Sequence, residues 1–445
     1  MEMLTETGYD RARHFQTLFE EYKGAPFAIR LWDGWSWNWP KDRLPLCTVT
    51  FKTPAAFAAL MVKPSEITLG EAYLDGEIDL EGDIFSVFEI AEHLFRTPRA
   101  RRKRVIEMLS FIAAEMVKRW TTGRSHSPNR DSQAISHHYD QPAAFYAPWL
   151  GDSWVYSCAY FGTPHDDLTT AQINKLSLIC RKLRLQAGDR FLDIGCGWGS
   201  LVLHAAAEFK AYAQGITISH EQVAVARRRI ESARLKQSCR VDLLDYRRAP
   251  ATFTPFDRIA SIGMFEHVGL KNLPRYFRTV YEILKPGGVF LNHGIACAAH
   301  ARSGWFATWL NSIPILRRAG SSLFIEKYVF PEGELATISE ALRAAEAAGF
   351  EVRDVDNLRE HYELTLRAWV RGLQANASEV RRLVSEATYR TWLLYLAGSA
   401  VEFRRGDLIV YQTLLSRTNE GRSCLPLTRS DWYGCPPDER RGLVA

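Results

Sequence analysis

Few side chains in this 445-residue sequence are placed to do chemistry, and those few stand at the ends of apolar runs. Glu266 lies in Gly263-Met264-Phe265-Glu266-His267-Val268-Gly269, just past the apolar stretch that ends at Ile262. A carboxylate among Met264, Phe265 and Val268 needs a partner or a role, because an ionised acid is poorly solvated there. His293 closes a second apolar run, and Tyr362 follows His361 at the start of a helical stretch. Taken singly, each is more often structural than catalytic. A second group surrounds Phe191-Leu192-Asp193-Ile194-Gly195-Cys196-Gly197-Trp198-Gly199. Glycine at every second position lets a ligand lie on bare backbone, and Asp193 beside it would repel a pyrophosphate. The spacing is G-x-G-x-G, not the dinucleotide G-x-G-x-x-G. A carboxylate at such a turn suits a ligand with a cation at that end, such as the amino group of S-adenosylmethionine. A purely structural turn remains the alternative.

The elements that must hold these residues alternate. An apolar strand runs into the glycine turn and a helix from Leu201 follows, the pattern of a nucleotide-binding βα unit. Further strands are predicted at 213–218, 240–244, 257–262, 289–293 and 407–414, with helices at 169–183, 219–233, 275–284, 340–348, 360–374 and 377–398. The class is α/β, a doubly wound sheet. The second strand ends in Thr217-Ile218-Ser219 without the ribose-binding acid of a dinucleotide fold. Gln222 is the polar group nearby that is long enough to substitute, and it also completes a capping box with Ser219. Asp245 follows the third strand, where it could accept from an adenine amino group or be a simple loop acid.

Upstream, 14–95 reads as a small mixed α+β domain. Its Trp35, Trp37 and Trp39 share one strand face, either as core or as a surface for an acyl chain. A basic cluster at 99–104 heads an amphipathic helix through Val117, a membrane-surface pattern or a solvated helix start. The polar segment 121–133 reads as a linker. The expected organisation is therefore an N-terminal domain over 1–120, a second domain over 134–416 and a poorly ordered tail over 417–445.

Composition narrows the class. A charged fraction of 24% and a net charge of +5 are too mild to argue for nucleic acid. The eight cysteines form no C-x-x-C pair, so free thiols in a reducing compartment and no metal site are expected. Met1 to Arg13 lacks the apolar core of a signal peptide, and no apolar run approaches the ~20 residues of a membrane span. A cytoplasmic protein that can associate with a membrane surface is expected, compatible with a homodimer.

Several motifs, in order and spacing, resemble the cyclopropane-fatty-acyl-phospholipid synthases and their mycolic-acid cyclopropane relatives: His138-Tyr139-Asp140, Tyr156-Ser157-Cys158-Ala159-Tyr160-Phe161, the glycine turn, Gly263 to Gly269, and His361-Tyr362. The likeness spans roughly 60–415, and Gly70-Glu71-Ala72-Tyr73-Leu74-Asp75-Gly76 is similar to the full-length bacterial synthases, whose extra domain contacts lipid. It implies a class I methyltransferase (Rossmann-like) fold and methylene transfer from S-adenosylmethionine to a cis double bond of an unsaturated phospholipid chain. The alkene brings no charge, so positioning in a dry cleft must do much of the work. The resulting carbocation needs aromatic faces, which Tyr160, Phe161, Phe265 and Tyr362 could offer.

In the family a bound bicarbonate removes the proton that closes the ring. Carried over, its holders are Glu266, His293, Tyr362 and the backbone at Cys158 and Ile295. Glu266 beside an anion implies a shared proton. By the same likeness Tyr156, Ser157, Gly195, Gly197, Thr217 and Gln222 hold the cofactor, joining Asp193, Gly199 and Asp245. Two positions depart from the family pattern: Arg248 stands where an acid is usual, and Glu332 where a glycine is usual. A methyl-branched or methylene product, a small-molecule N- or O-methyltransferase, and a non-enzymatic lipid-surface protein are the rival readings.

Overall fold

A computed structural model describes residues 8–62, 65–95, 141–299, 324, 328–329 and 334–433. The basic helix at 99–117, the linker, His138-Tyr139-Asp140 and Glu332 lie outside the described residues. Packing gathers the chain into two units that are not contiguous in sequence. One draws on Met1–Ser125, Arg302–Glu332 and Leu373–Val401; the other on His126–Ala301, Gly333–Gly372 and Glu402–Ala445. The division expected from composition is thus corrected, because 373–401 packs with the N-terminal unit. One tie is Arg390, whose guanidinium donates to the carbonyls of Tyr73 (2.9 Å) and Ile78 (3.1 Å). The single helix expected at 377–398 is two, Ala377–Leu383 and Glu386–Arg405. Val384 is extended between them, and Ser385 restarts the turn by accepting from Thr388 N at 3.1 Å.

The N-terminal unit carries a four-stranded sheet of β1 (Phe27–Arg30), β2 (Ser36–Trp39), β3 (Cys47–Phe51) and β4 (Ile78–Gly82), in the order β2-β1-β3-β4. Trp37 is 5% exposed and stacks on Phe15 (5.4 Å) and Trp39 (5.6 Å). Trp35 also stacks on Phe15, at 5.6 Å. The indoles do share a face, but that face is the core, not an acyl-chain surface.

The second unit is built on seven strands: β5 (Arg190–Ile194), β6 (Tyr212–Thr217), β7 (Cys239–Leu243), β8 (Phe256–Ile262), β9 (Leu284–Cys297), β10 (Glu351–Asn357) and β11 (Leu408–Ser416). Their order is β10-β11-β9-β8-β5-β6-β7, and β11 alone runs against the rest. Residues 191–194 are all buried, as a central parallel strand covered on both faces requires. From β5 the chain steps outward through β6 and β7, then returns to β8 on the other side. The C-terminal ends of β5 and β8 therefore flank a switch point, where such sheets bind ligands.

The expected tail from 417 is also corrected over its described part. Trp432 is 2% exposed, its carbonyl accepts from Arg181 Nε at 2.6 Å, and Lys182, Arg184 and Arg429 lie 5.3–5.5 Å from its ring. One indole among three cations anchors a segment whose composition alone looks unstructured. Among the described residues, the cysteines are free thiols, no cluster could hold a metal ion, and no helix is long and apolar enough to cross a membrane.

Candidate active site

The glycine turn sits at the end of β5. Gly195 (φ +79°) and Gly197 (φ +53°) are in the left-handed region that side chains disfavour. At Gly195 a side chain would strike Met264 at 2.9 Å, whereas the space above Gly197 is open. Gly199 serves packing instead: a Cβ there would press on Ala226 at 3.1 Å as the helix Ser200–Glu208 begins. The turn opens on a cavity of ≈ 100 Å³ whose walls include Gly195, Thr217, Gln222, Asp245, Gly263 and Met264. Thr217 Oγ1 donates to Gln222 Oε1 at 2.7 Å, and Ser219 Oγ accepts from Gln222 N at 3.3 Å. Gln222 is thus both a cavity wall and part of a helix cap.

Asp193 is 2% exposed, and its Oδ1 has no hydrogen-bond partner. Burial pushes its pKa up to about 7 against the opposing charge of Lys175. A buried acceptor without a donor is what an ammonium-bearing ligand would complete. Asp245 does line the cavity, but its carboxylate already accepts from Arg247 Nε (2.9 Å), Nη2 (2.6 Å) and backbone N (2.9 Å). Burial works to raise its pKa, and those bonds outweigh it, so Asp245 stays ionised. The expected adenine acceptor is in place with much of its capacity committed to Arg247.

Glu266 owes its position to a mismatch of strand lengths. β8 ends at Ile262, opposite His293, while β9 runs on to Cys297. The backbone of β9 beyond His293 has lost its β8 partner, and Ile295 N–H donates instead to Glu266 Oε1 at 2.8 Å. Glu266 is only half-buried as a residue, yet its other oxygen, Oε2, is out of solvent reach and has no partner. Burial raises its pKa to about 7, so near neutrality it can carry a proton that an exposed glutamate would have lost. His293 is 1% exposed; Gln412 Nε2 donates to its Nδ1 at 3.2 Å, leaving the ring proton on Nε2, which has no partner. Burial, with the charges of Lys175 and Lys182, keeps this imidazole neutral.

The segment 156–161 is fastened by two bonds to the helix Arg359–Ala375 and by a third to Leu358, the residue before it. Ala159 N donates to Thr365 Oγ1 (3.0 Å), Phe161 N to His361 Nδ1 (3.1 Å), and Cys158 Sγ to the Leu358 carbonyl (3.7 Å). Tyr362 N in turn donates to that same carbonyl at 3.0 Å, so Cys158 and Tyr362 are neighbours. The Cys158 thiol is fully buried and its pKa is raised by burial, so it is an inert thiol. Tyr156 and Tyr362 both pack against Trp369, at 5.0 and 6.0 Å. Tyr160 stacks on His361 at 4.6 Å. Phe265 departs from expectation: it is 4% exposed, packs toward Tyr276 and Phe277, and fills the space over Gly294, so it belongs to the core.

Sequence reasoning missed Gln172, Lys175 and Gln412, each at most 1% exposed. Gln172 Nε2 holds the Ser157 carbonyl at 3.0 Å, and Lys175 Nζ holds Ser157 Oγ at 2.9 Å. The available signal was the spacing of the first two. Gln172 and Lys175 are polar residues three apart on the buried stripe of an amphipathic helix, and Gln412 is a buried polar residue within β11.

A seven-stranded α/β sheet with one reversed strand, a glycine turn at the switch point and a buried acid in the strand just before it define a class I S-adenosylmethionine-dependent methyltransferase. The family model described as mycolic acid cyclopropane synthetase matches residues 126–413, and one described as a domain of unknown function matches 14–96. The chain is 38% identical to a probable fatty acid methyltransferase of Pseudomonas putida over 92% of this chain and 96% of that one. It is 34% identical to the cyclopropane-fatty-acyl-phospholipid synthase of Escherichia coli, over 83% and 87%. A solved mycolic acid cyclopropane synthase, CmaA1 complexed with SAH and CTAB, superposes with a TM-score of 0.57 at 33% identity, covering 64% of this chain and 97% of that one. This protein belongs to the mycolic acid cyclopropane synthetase family.

Proposed function

We propose that the protein adds a methylene group from S-adenosylmethionine across a cis double bond of an unsaturated acyl chain in a membrane phospholipid, closing a cyclopropane ring. The observation that carries this reading is the pair of buried, ionisable and partnerless atoms Glu266 Oε2 and His293 Nε2, one in the turn after β8, whose neighbours Met264 and His267 line the glycine-turn cavity, the other within β9 opposite the end of β8. Bound S-adenosylmethionine would supply an electrophilic methyl group. Gly195, Gly197, Thr217 and Gln222 would cradle it, Asp193 would meet its ammonium, and Ser157 and Tyr156 would hold its amino-acid end. The aromatic faces of Tyr156, Tyr160 and Tyr362 stabilise positive charge developing on the acyl chain.

Bicarbonate fits the donor set as the base. A neutral His293 presents Nε2–H, and Glu266, with a pKa raised to about 7, can present its proton to an anion that an ionised carboxylate would repel. Cys158 and Ile295 contribute through backbone and packing, since the Ile295 N–H already orients Glu266. The substrate lies in a bilayer, so the protein works at the membrane surface from the cytoplasmic side.

A second reading has one specific support, the 38% identity to a probable fatty acid methyltransferase. It shares every step up to the carbocation; there, a 1,2-hydride shift and loss of a methyl proton give the methylene-bearing chain, and loss of a chain proton gives an unsaturated methyl-branched one. The test is mass spectrometry of membrane fatty acids from cells with and without the protein. Either reading expects chains heavier by about 14 mass units, one CH₂. A product that takes up no hydrogen under mild hydrogenation is the ring; one that takes up two hydrogens is the methylene or unsaturated branched chain. Unchanged lipids would overturn both.

A further inference from the structure

Two lysines on the helix Leu168–Lys182 are 1% exposed. Lys182 has its counter-ion, Asp356 Oδ2 at 2.7 Å. Lys175 has none within ion-pair distance among the described residues; its hydrogen bond goes to Ser157 Oγ at 2.9 Å. An ammonium in a core needs a strong reason to be there, because removing it from water is costly. The groups facing it are the Ser157 hydroxyl, the Cys158 thiol, the Asp193 carboxylate and the neutral His293 imidazole. Of these, Asp193 has an acceptor oxygen left bare.

The chemistry of the one bond is informative. An ammonium has no lone pair and can only donate, so Ser157 Oγ must be the acceptor, and the hydroxyl's own hydrogen is left to be given elsewhere. A group that would otherwise donate or accept with equal ease is thereby fixed as a donor. Gln172 fixes the same residue's backbone from the next turn of the helix, through the Ser157 carbonyl at 3.0 Å. Ser157 abuts Gly263, a wall of the cavity, where an added side chain would touch its Cβ at 4.0 Å.

We propose that Lys175 is a positioning residue that gives the amino-acid end of the cofactor site its polarity: it fixes the Ser157 hydroxyl as a donor to the cofactor's carboxylate, opposite Asp193 as acceptor for its ammonium. This rests on the reading of the cavity as an S-adenosylmethionine site and assigns the recognition of that ligand's zwitterionic end. Lys175 touches no reacting atom.

The test is a cycle between the protein and the ligand's carboxylate. Affinities of S-adenosylhomocysteine and of its analogue lacking only the carboxylate are measured by calorimetry on the wild-type chain, Lys175→Met and Ser157→Ala. The wild type should prefer the complete ligand by roughly tenfold or more, the scale of a charge-assisted hydrogen bond. Both variants should lose that preference while binding the truncated analogue nearly as the wild type does. A Lys175→Met protein that weakens both ligands equally has lost structure alone, and that outcome overturns the proposal. If Lys175→Met does not fold, Ser157→Ala decides, and a preference retained there also overturns it. A wild type that binds neither ligand would instead defeat the cofactor reading itself and leave Lys175 unexplained.

Discussion

The two units of this protein bury their aromatic and polar groups to opposite purposes. In the N-terminal unit, Phe15, Phe19, Trp37 and their neighbours pack on one another around a cavity of ≈ 30 Å³ lined by apolar side chains alone. Among the described residues, the buried polar atoms left without partners there are an indole N–H, two hydroxyls and an arginine Nε. In the second unit such atoms again include indole N–H groups and arginine Nε atoms, with the amide oxygens of Gln172 and Gln412, and to these are added the partnerless carboxylate and imidazole atoms of Asp193, Glu266 and His293. The first pattern is the ordinary residue of tight packing. The second marks a place where a ligand completes the structure, since a buried carboxylate or imidazole without a partner is otherwise hard to retain. Aromatic content in the N-terminal unit therefore reports core packing.

The largest effect that could break this contrast is Trp37→Ala. Removing an indole stacked between Phe15 and Trp39 should destabilise the N-terminal unit by about 3–5 kcal/mol. Chemical denaturation should show that loss, while S-adenosylhomocysteine affinity stays within a factor of about two at temperatures where the second unit is folded. A Trp37→Ala protein of normal stability would mean that the indole is not core.

A smaller effect sharpens the other side. Glu266 titrates near 4.5 when unfolded and at about 7 when folded, so between those values the native state holds more protons than the unfolded one. Stability therefore falls as pH rises through this window, by on the order of 3 kcal/mol from this residue, and the penalty is complete above it. Glu266→Gln removes the titration. Without ligand, the variant should gain on the wild type by that amount from pH 4.5 to 7. The neutral His293 acts in the opposite direction in both proteins, so it cancels in the difference. Parallel stability curves would mean that the carboxylate is solvated.

The fold was legible because its signals are local. The apolar runs ending at Ile194, Thr217 and Ile262 and the glycine turn each announce a strand or its end without reference to the rest of the chain. What was hidden depends on contacts distant in sequence. Arg390 draws a C-terminal helix to Tyr73 and Ile78, and Trp432 finds its cations only after the chain has returned. β10, with Arg353, Asp354 and Asp356 in a seven-residue strand, has no apolar alternation to betray it. The site divides the same way. Asp193, Glu266 and His293 were readable as polar residues at strand ends. Lys175 and Gln412 were not, because their importance lies in the buried partners they serve, Ser157 and His293. The commitment of Ile295 N–H to Glu266 follows from β9 outrunning β8, a relation between strands that the pattern of either one does not contain.

The most direct test of the central claim separates binding from chemistry at Glu266. Purified wild-type and Glu266→Gln proteins would be compared for S-adenosylhomocysteine affinity by calorimetry and for CH₂ transfer to vesicles of unsaturated phospholipid by mass spectrometry. The expected result is affinity preserved within a few-fold and transfer reduced by roughly a thousandfold or more, the scale of losing a group that manages a proton in the transition state. A Glu266→Gln protein that binds the cofactor and modifies lipid at the wild-type rate would contradict the assignment of Glu266 and His293 as the site where the proton is removed.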